Sequence, residues 1–173
     1  PEEQILWAHT YDRPMTDVLI MYSEIASTIA DKTQVDLTAE EITRLTSASQ
    51  VNPESYDAYL KGVPHLYRTT PEGLKIALQY FDLALELDPN NALAHVGVAN
   101  VWNSRHNLGW RPRQEPKLFW KAAIDKALEL DNTLAEAYAV LGAYRCWAEW
   151  DWEGAEEAFQ QALKLNPNDS IAH

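Results

Sequence analysis

The sequence predicts an all-α protein, built as a solenoid of antiparallel helix pairs. Three segments close alike: ALQYFDLALELDPNN (77–91), WKAAIDKALELDNT (120–133) and AEEAFQQALKLNPND (155–169). Aligning them stacks Phe81 with Ile124 and Phe159, Ala84 with Ala127 and Ala162, and Leu85 with Leu128 and Leu163. The equivalent residues lie 43 and then 35 positions apart, close to the ~34-residue period of a helix–turn–helix repeat. The longer interval places roughly nine extra residues around Asn103–Arg113. Ahead of each closing segment, apolar and small residues follow helical spacing: Tyr138, Leu141 and Gly142 in one case, His95, Val98, Ala99 and Trp102 in another.

From the front, QILWAHTY (4–11) reads as a strand, and Pro14 then breaks the chain. Thr16 caps a helix over 16–31, where Val18, Tyr22, Ile25 and Ile29 recur at helical spacing. Thr38 and Glu41 form a capping box for a short helix over 38–46. Asn52-Pro53 opens the array, with proline at the first helical position. Units follow at about 53–91, 92–133 and 134–168, and a fourth begins at 169–173. In the first unit, Lys61-Gly62-Val63-Pro64 interrupts the expected order of the opening helix. Gly142 and Ala99 let paired helices approach closely, where a larger side chain would overpack the contact. Pro89 and Pro167 cannot continue the helices before them, so the chain turns; Asn132 stands in that place in the second unit. The expected core is Phe81, Ala84, Ile124, Ala127, Phe159 and Ala162.

These residues resemble the tetratricopeptide repeat family over about 53–169. The resemblance implies a right-handed superhelix whose first helices line a concave, peptide-holding groove. Carried over by position, the groove candidates are Val96, Asn100 and Asn103 in the second unit, and Glu136, Ala139, Ala143 and Trp147 in the third. An amide such as Asn100 can grasp a peptide backbone, since it donates and accepts; a solvated polar residue is the plainer alternative. One subfamily grips a terminal carboxylate with Lys, Asn and Arg, but Glu136, Ala139 and Val140 stand here, so that specificity is not expected. The order LWAHTYDRPMTDVLIMYSEIASTIA, DLTAEEITRL, VNPESYDAYLKG is similar to the junction between a TolB-like α/β domain and tetratricopeptide repeats in bacterial multidomain regulators. That resemblance makes 1–50 the end of an α/β domain. It also implies a winged-helix, nucleotide cyclase or kinase domain elsewhere in the protein.

Composition narrows the function further. The chain carries 46% hydrophobic and 23% charged residues, which suits a folded domain. The start, PEEQILWAHTYD, has no initiator Met and no basic end followed by an apolar stretch, so a piece of a longer chain is expected. A net charge of −12 disfavours nucleic acid and anionic membrane as partners. Arg105, Arg111, Arg113, Lys117, Lys121 and Lys126 concentrate positive charge locally, either as a site for an acidic partner or as a solvated face. The single cysteine, Cys146, excludes an internal disulfide and is expected to be packed or groove-lining. His95 is expected to pack within its repeat, and one or both of Trp150 and Trp152 to fill the gap between paired helices, with a ligand stack as the alternative. Glu149, Asp151, Glu153, Glu156 and Glu157 match a helix start better than a calcium loop. No zinc-binding HExxH or phosphate-binding glycine loop occurs, so no enzyme, metal or cofactor is expected. The expected function is a protein- or peptide-binding scaffold or sensor module of a larger bacterial regulator. The alternatives are a self-association segment forming a weak homodimer, and the regulatory part of a cyclase or kinase.

Overall fold

The computed structural model describes residues 18–33, 52–109, 114–169 and 171–172. The expected strand at 4–11 and short helix at 38–46 lie outside the described residues, as do Arg111 and Arg113. The described residues form helices and their connections, with no strand among them. Two compact units are present, Pro1–Glu54 and Ser55–His173.

In the first unit, α1 spans Val18–Thr33. Its last turns carry back-bonding hydroxyls, Thr28 Oγ1 to the Glu24 carbonyl at 2.7 Å and Thr33 Oγ1 to the Ile29 carbonyl at 2.7 Å. Six further helices follow: α2 (Pro53–Leu66), α3 (Pro71–Leu87), α4 (Ala92–Asn107), α5 (Gln114–Leu130), α6 (Ala135–Tyr144) and α7 (Trp152–Leu165). From α6 the backbone continues as a wider π-helical turn over Arg145–Glu149.

Local chemistry explains where these helices start. The Gly73 N–H donates to Thr70 Oγ1 at 3.1 Å, ahead of Pro71 at the start of α3. Asn91 caps α4, with the Ala94 N–H on its Oδ1 at 3.1 Å. Asp151 caps α7 through the Gly154 N–H at 3.0 Å. Leu134 precedes α6 without a side-chain cap.

Each second helix ends the same way. An aspartate or asparagine just past it accepts from the backbone N–H two residues on: Asp88 from Asn90 at 3.0 Å, Asp131 from Thr133 at 2.8 Å, and Asn166 from Asn168 at 3.1 Å. This turn recurs in all three units, whereas the proline recurs in two. It therefore explains how the second unit turns without one.

Helices pack as antiparallel neighbours, α4 with α5 and α6 with α7, and consecutive units meet through α3–α4, α5–α6 and α4–α6. The architecture is an all-α array of paired helices, a tetratricopeptide-like solenoid. Phe81 is fully buried, and its ring lies between Gly62 of α2 and Gly97 of α4. A Cβ on either glycine would fall within 2.6 to 2.9 Å of that ring. The Lys61-Gly62-Val63-Pro64 stretch thus does not interrupt α2; the helix runs through Pro64 to Leu66, and Gly62 supplies the close approach.

Ala84, Ile124, Ala127 and Ala162 are buried. Phe159 departs from the expectation and is only partly buried. Its ring packs on Gly142, but no further described helix covers its other side as Gly97 covers Phe81. A buried polar link ties α2 to the end of α3 and the cap of α4: Ser55 Oγ donates to the Ala84 carbonyl at 2.7 Å, and Asn91 Nδ2 donates to Ser55 Oγ at 2.8 Å.

Candidate peptide-binding surface

The first helices of the units, α2, α4 and α6, carry the expected groove residues. On α4, Val96, Asn100 and Asn103 follow a strip of helical spacing. Val96 is buried in the core with Trp120 and Val140, while Asn100 and Asn103 stay half-buried. Asn107 Nδ2 donates to Asn103 Oδ1 at 2.9 Å, which holds one amide in place. On α6, Ala139 and Ala143 are buried at 0% and 5% exposure, so they cannot touch a ligand. These three small or branched side chains go under their neighbours because α4 and α6 lie side by side. Glu136 remains half-buried in the first turn of α6.

Burial first, then the charge of Glu136, pushes the Tyr59 phenol from 10.0 up to about 12. Tyr59 itself packs inward, its ring 5.8 Å from that of buried Phe81. Tyr56 stacks on Tyr59 with ring centroids 6.0 Å apart. Sequence reasoning missed this tyrosine pair, although two aromatics three apart on an opening helix were a readable signal. Tyr56, Tyr59, Asn100, Asn103 and Glu136 are thus half-buried polar and aromatic residues of the three first helices.

The cationic stretch is largely engaged within the chain. The Arg105 guanidinium sits 4.8 Å over the Trp102 ring, which also stacks on Phe119 at 4.7 Å. Lys117 Nζ donates to the Ala148 carbonyl. Lys121 pairs with Asp125, and Lys126 with Glu129, each one turn along its own helix.

Trp147 is 51% exposed at the π-helical turn. Trp150 and Trp152 do not fill the gap between paired helices; they are 65% and 58% exposed. The wide turn places Trp150 in the left-handed region at φ 61°, and Trp147 and Trp150 both pack on Trp152 at the protein surface. Beneath the turn, burial pushes the Cys146 thiol up, which leaves it a poor nucleophile. Burial, the charge of Glu149 and a hydrogen bond to it push the Tyr144 phenol up to about 12. Among the described residues no three His, Cys, Asp or Glu side chains come together as a metal site. No described helix is long and apolar enough to cross a membrane.

No family model matches the chain. Over 106 residues, 57% of this chain, it is 31% identical to "Putative adenylate cyclase 3" of Rhizobium meliloti (strain 1021). The match spans 18% of that relative's length. Among solved structures the chain resembles "First TPR of Spaghetti (RPAP3) bound to HSP90 peptide SRMEEVD", with a TM-score of 0.51 and 19% identity, over 69% of this chain and 84% of the other. At that identity the likeness speaks for the fold: the chain has a tetratricopeptide-like arrangement of helix pairs.

Proposed function

We propose that the chain is a protein- or peptide-binding module that holds an extended or helical segment along the first-helix surface, as part of a larger bacterial signalling protein. The observation that carries this is that Tyr59, Asn100, Asn103 and Glu136 all stay half-buried on the first helices α2, α4 and α6. Amides and a carboxylate fixed on rigid helices can pair with the N–H and C=O groups of a peptide at little ordering cost. The peptide in the solved neighbour supports a binding role for this fold.

The chemistry of that peptide does not carry over. Its sequence, SRMEEVD, holds three acidic residues against one arginine, whereas this surface offers Glu136 and the whole chain carries a net charge of −12. A neutral or basic segment fits better. The likeness to a named cyclase supports placement beside a catalytic domain, where the array would sense a partner and pass its presence on. Fluorescence anisotropy against a panel of neutral, basic and acidic 12-residue peptides tests the reading. Neutral or basic peptides should bind the chain and lose about 5–20-fold in affinity to an Asn100→Ala/Glu136→Ala variant, from two lost polar contacts. Undiminished binding by that variant would remove this surface from the account.

A further inference from the structure

Three exposed tryptophans meet where the π-helical turn after α6 leads into α7. Trp152 is the middle ring. Trp147 stands on it at 80° with centroids 6.5 Å apart, and Trp150 at 69° and 5.9 Å. At 51%, 65% and 58% exposure, the rings leave on the order of 400 Å² of aromatic surface in water, as much as a typical monomer's largest apolar patch. Near-perpendicular indoles create a corner with more than one aromatic wall.

Carboxylates adjoin these tryptophans along the chain. Glu149, Asp151 and Glu153 alternate with the tryptophans in sequence, and all three are exposed. The nearby cations are occupied: Arg145 donates to the Gly154 carbonyl at 2.8 Å and lies 3.8 Å from Glu157, and Lys117 is held by the Ala148 carbonyl. The positive end of the α7 dipole is offset by Asp151 at its cap and Glu153 in its first turn. An indole face attracts a cation through its quadrupole, and tryptophan does so best of the aromatic rings. The same chemistry already operates within the chain, where Arg105 covers Trp102.

We propose that Trp147, Trp150 and Trp152, rimmed by Glu149 and Glu153, form a docking corner for an arginine- or lysine-bearing segment of a partner protein. The cation lies against the indoles, and the carboxylates supply its counter-charge. A second copy of the chain is a poorer occupant, since two surfaces of one sign would meet.

The test uses the intact chain and three capped octapeptides with arginine, leucine or glutamate at alternate positions. Indole N–H resonances report on each of the seven tryptophans. The arginine peptide is expected to shift Trp147, Trp150 and Trp152, and the glutamate peptide to shift none. A Trp150→Asn/Trp152→Ala variant should weaken arginine-peptide binding about 5–20-fold, from two exposed cation–π contacts, with unchanged far-ultraviolet circular dichroism. Glu153→Gln, which leaves every ring in place, should weaken it about 2-fold, and the loss should vanish at high salt. The proposal is overturned if the leucine peptide shifts the three indoles as strongly as the arginine peptide, if arginine shifts none of them, or if the corner proves to be a self-association surface by sedimentation. The outcome does not depend on the first-helix surface, because neither substituted tryptophan belongs to it.

Discussion

Replacing Gly97 with alanine adds one methyl group to α4 at the tightest contact between the first two units. In an unhindered helix this change is favourable, by about 1 kcal/mol, because alanine loses less conformational freedom than glycine. Here the new Cβ would stand 2.8 Å from two carbons of the Phe81 ring and 2.9 Å from a third. The ring cannot retreat, since Gly62 bounds its other side at a would-be Cβ distance of 2.6 Å and the residue is fully buried. Overpacking of this kind costs about 1–3 kcal/mol. With the propensity gain subtracted, Gly97→Ala should destabilise by up to about 2 kcal/mol.

Gly142→Ala provides the comparison. Its Cβ would come 2.5 Å from Phe159, but that ring is only partly buried, unlike Phe81. Its loss should stay below about 0.5 kcal/mol, as the two effects nearly cancel. Urea denaturation of both variants, at equal m-values, measures the difference. Phe81→Leu in the Gly97→Ala background should recover part of the loss, a coupling a double-mutant cycle resolves. Stabilisation by Gly97→Ala would refute the sandwiched-ring reasoning.

Further expectations follow from the same packing. Phe81→Ala should cost about 3–5 kcal/mol, the range for a buried aromatic, and Phe159→Ala clearly less, both read by chemical denaturation. Asn91→Ala removes both a helix cap and the partner of buried Ser55, so thermal unfolding should report a loss of about 2–3 kcal/mol. Asn91→Asp, which keeps the acceptor for Ala94, should lose less. Stability should also fall in alkali. The folded Tyr59 phenol titrates near 12 rather than 10.0, so between those values the unfolded chain has released a proton that the folded chain retains. The contribution is intact below pH 10 and is lost as pH rises toward 12, by ~2–3 kcal/mol for a shift of this size. Tyr59→Phe should flatten that limb of a pH titration of stability.

The fold was legible because its determinants repeat. Phe81, Ile124 and Phe159, with the alanines three places on, mark the same position in three second helices, and the asparagine or aspartate turns at Asp88, Asp131 and Asn166 keep the same intervals. Finer packing was less legible. Ala99 was the natural match to Gly142 by spacing, yet Gly97 meets Phe81, because a contact between units follows neighbouring geometry rather than the internal pattern of one repeat. Helical spacing put Val96, Asn100 and Asn103 on one strip of α4. It could not say that Val96, Ala139 and Ala143 lie beneath adjacent first helices, since burial there depends on how closely α4 and α6 approach. The tryptophan corner was misread because large aromatics usually go inside. The π-helical turn over Arg145–Glu149 breaks the regular helical spacing on which that reading relied.

The most direct test of the binding account is backbone amide NMR of the chain during titration with the tightest-binding peptide from the anisotropy panel. Saturable shifts should concentrate on α2, α4 and α6, at Tyr59, Asn100, Asn103 and Glu136, and leave the second helices α3 and α5 unmoved. Shifts confined to α3 and α5, with the first helices silent, would contradict it.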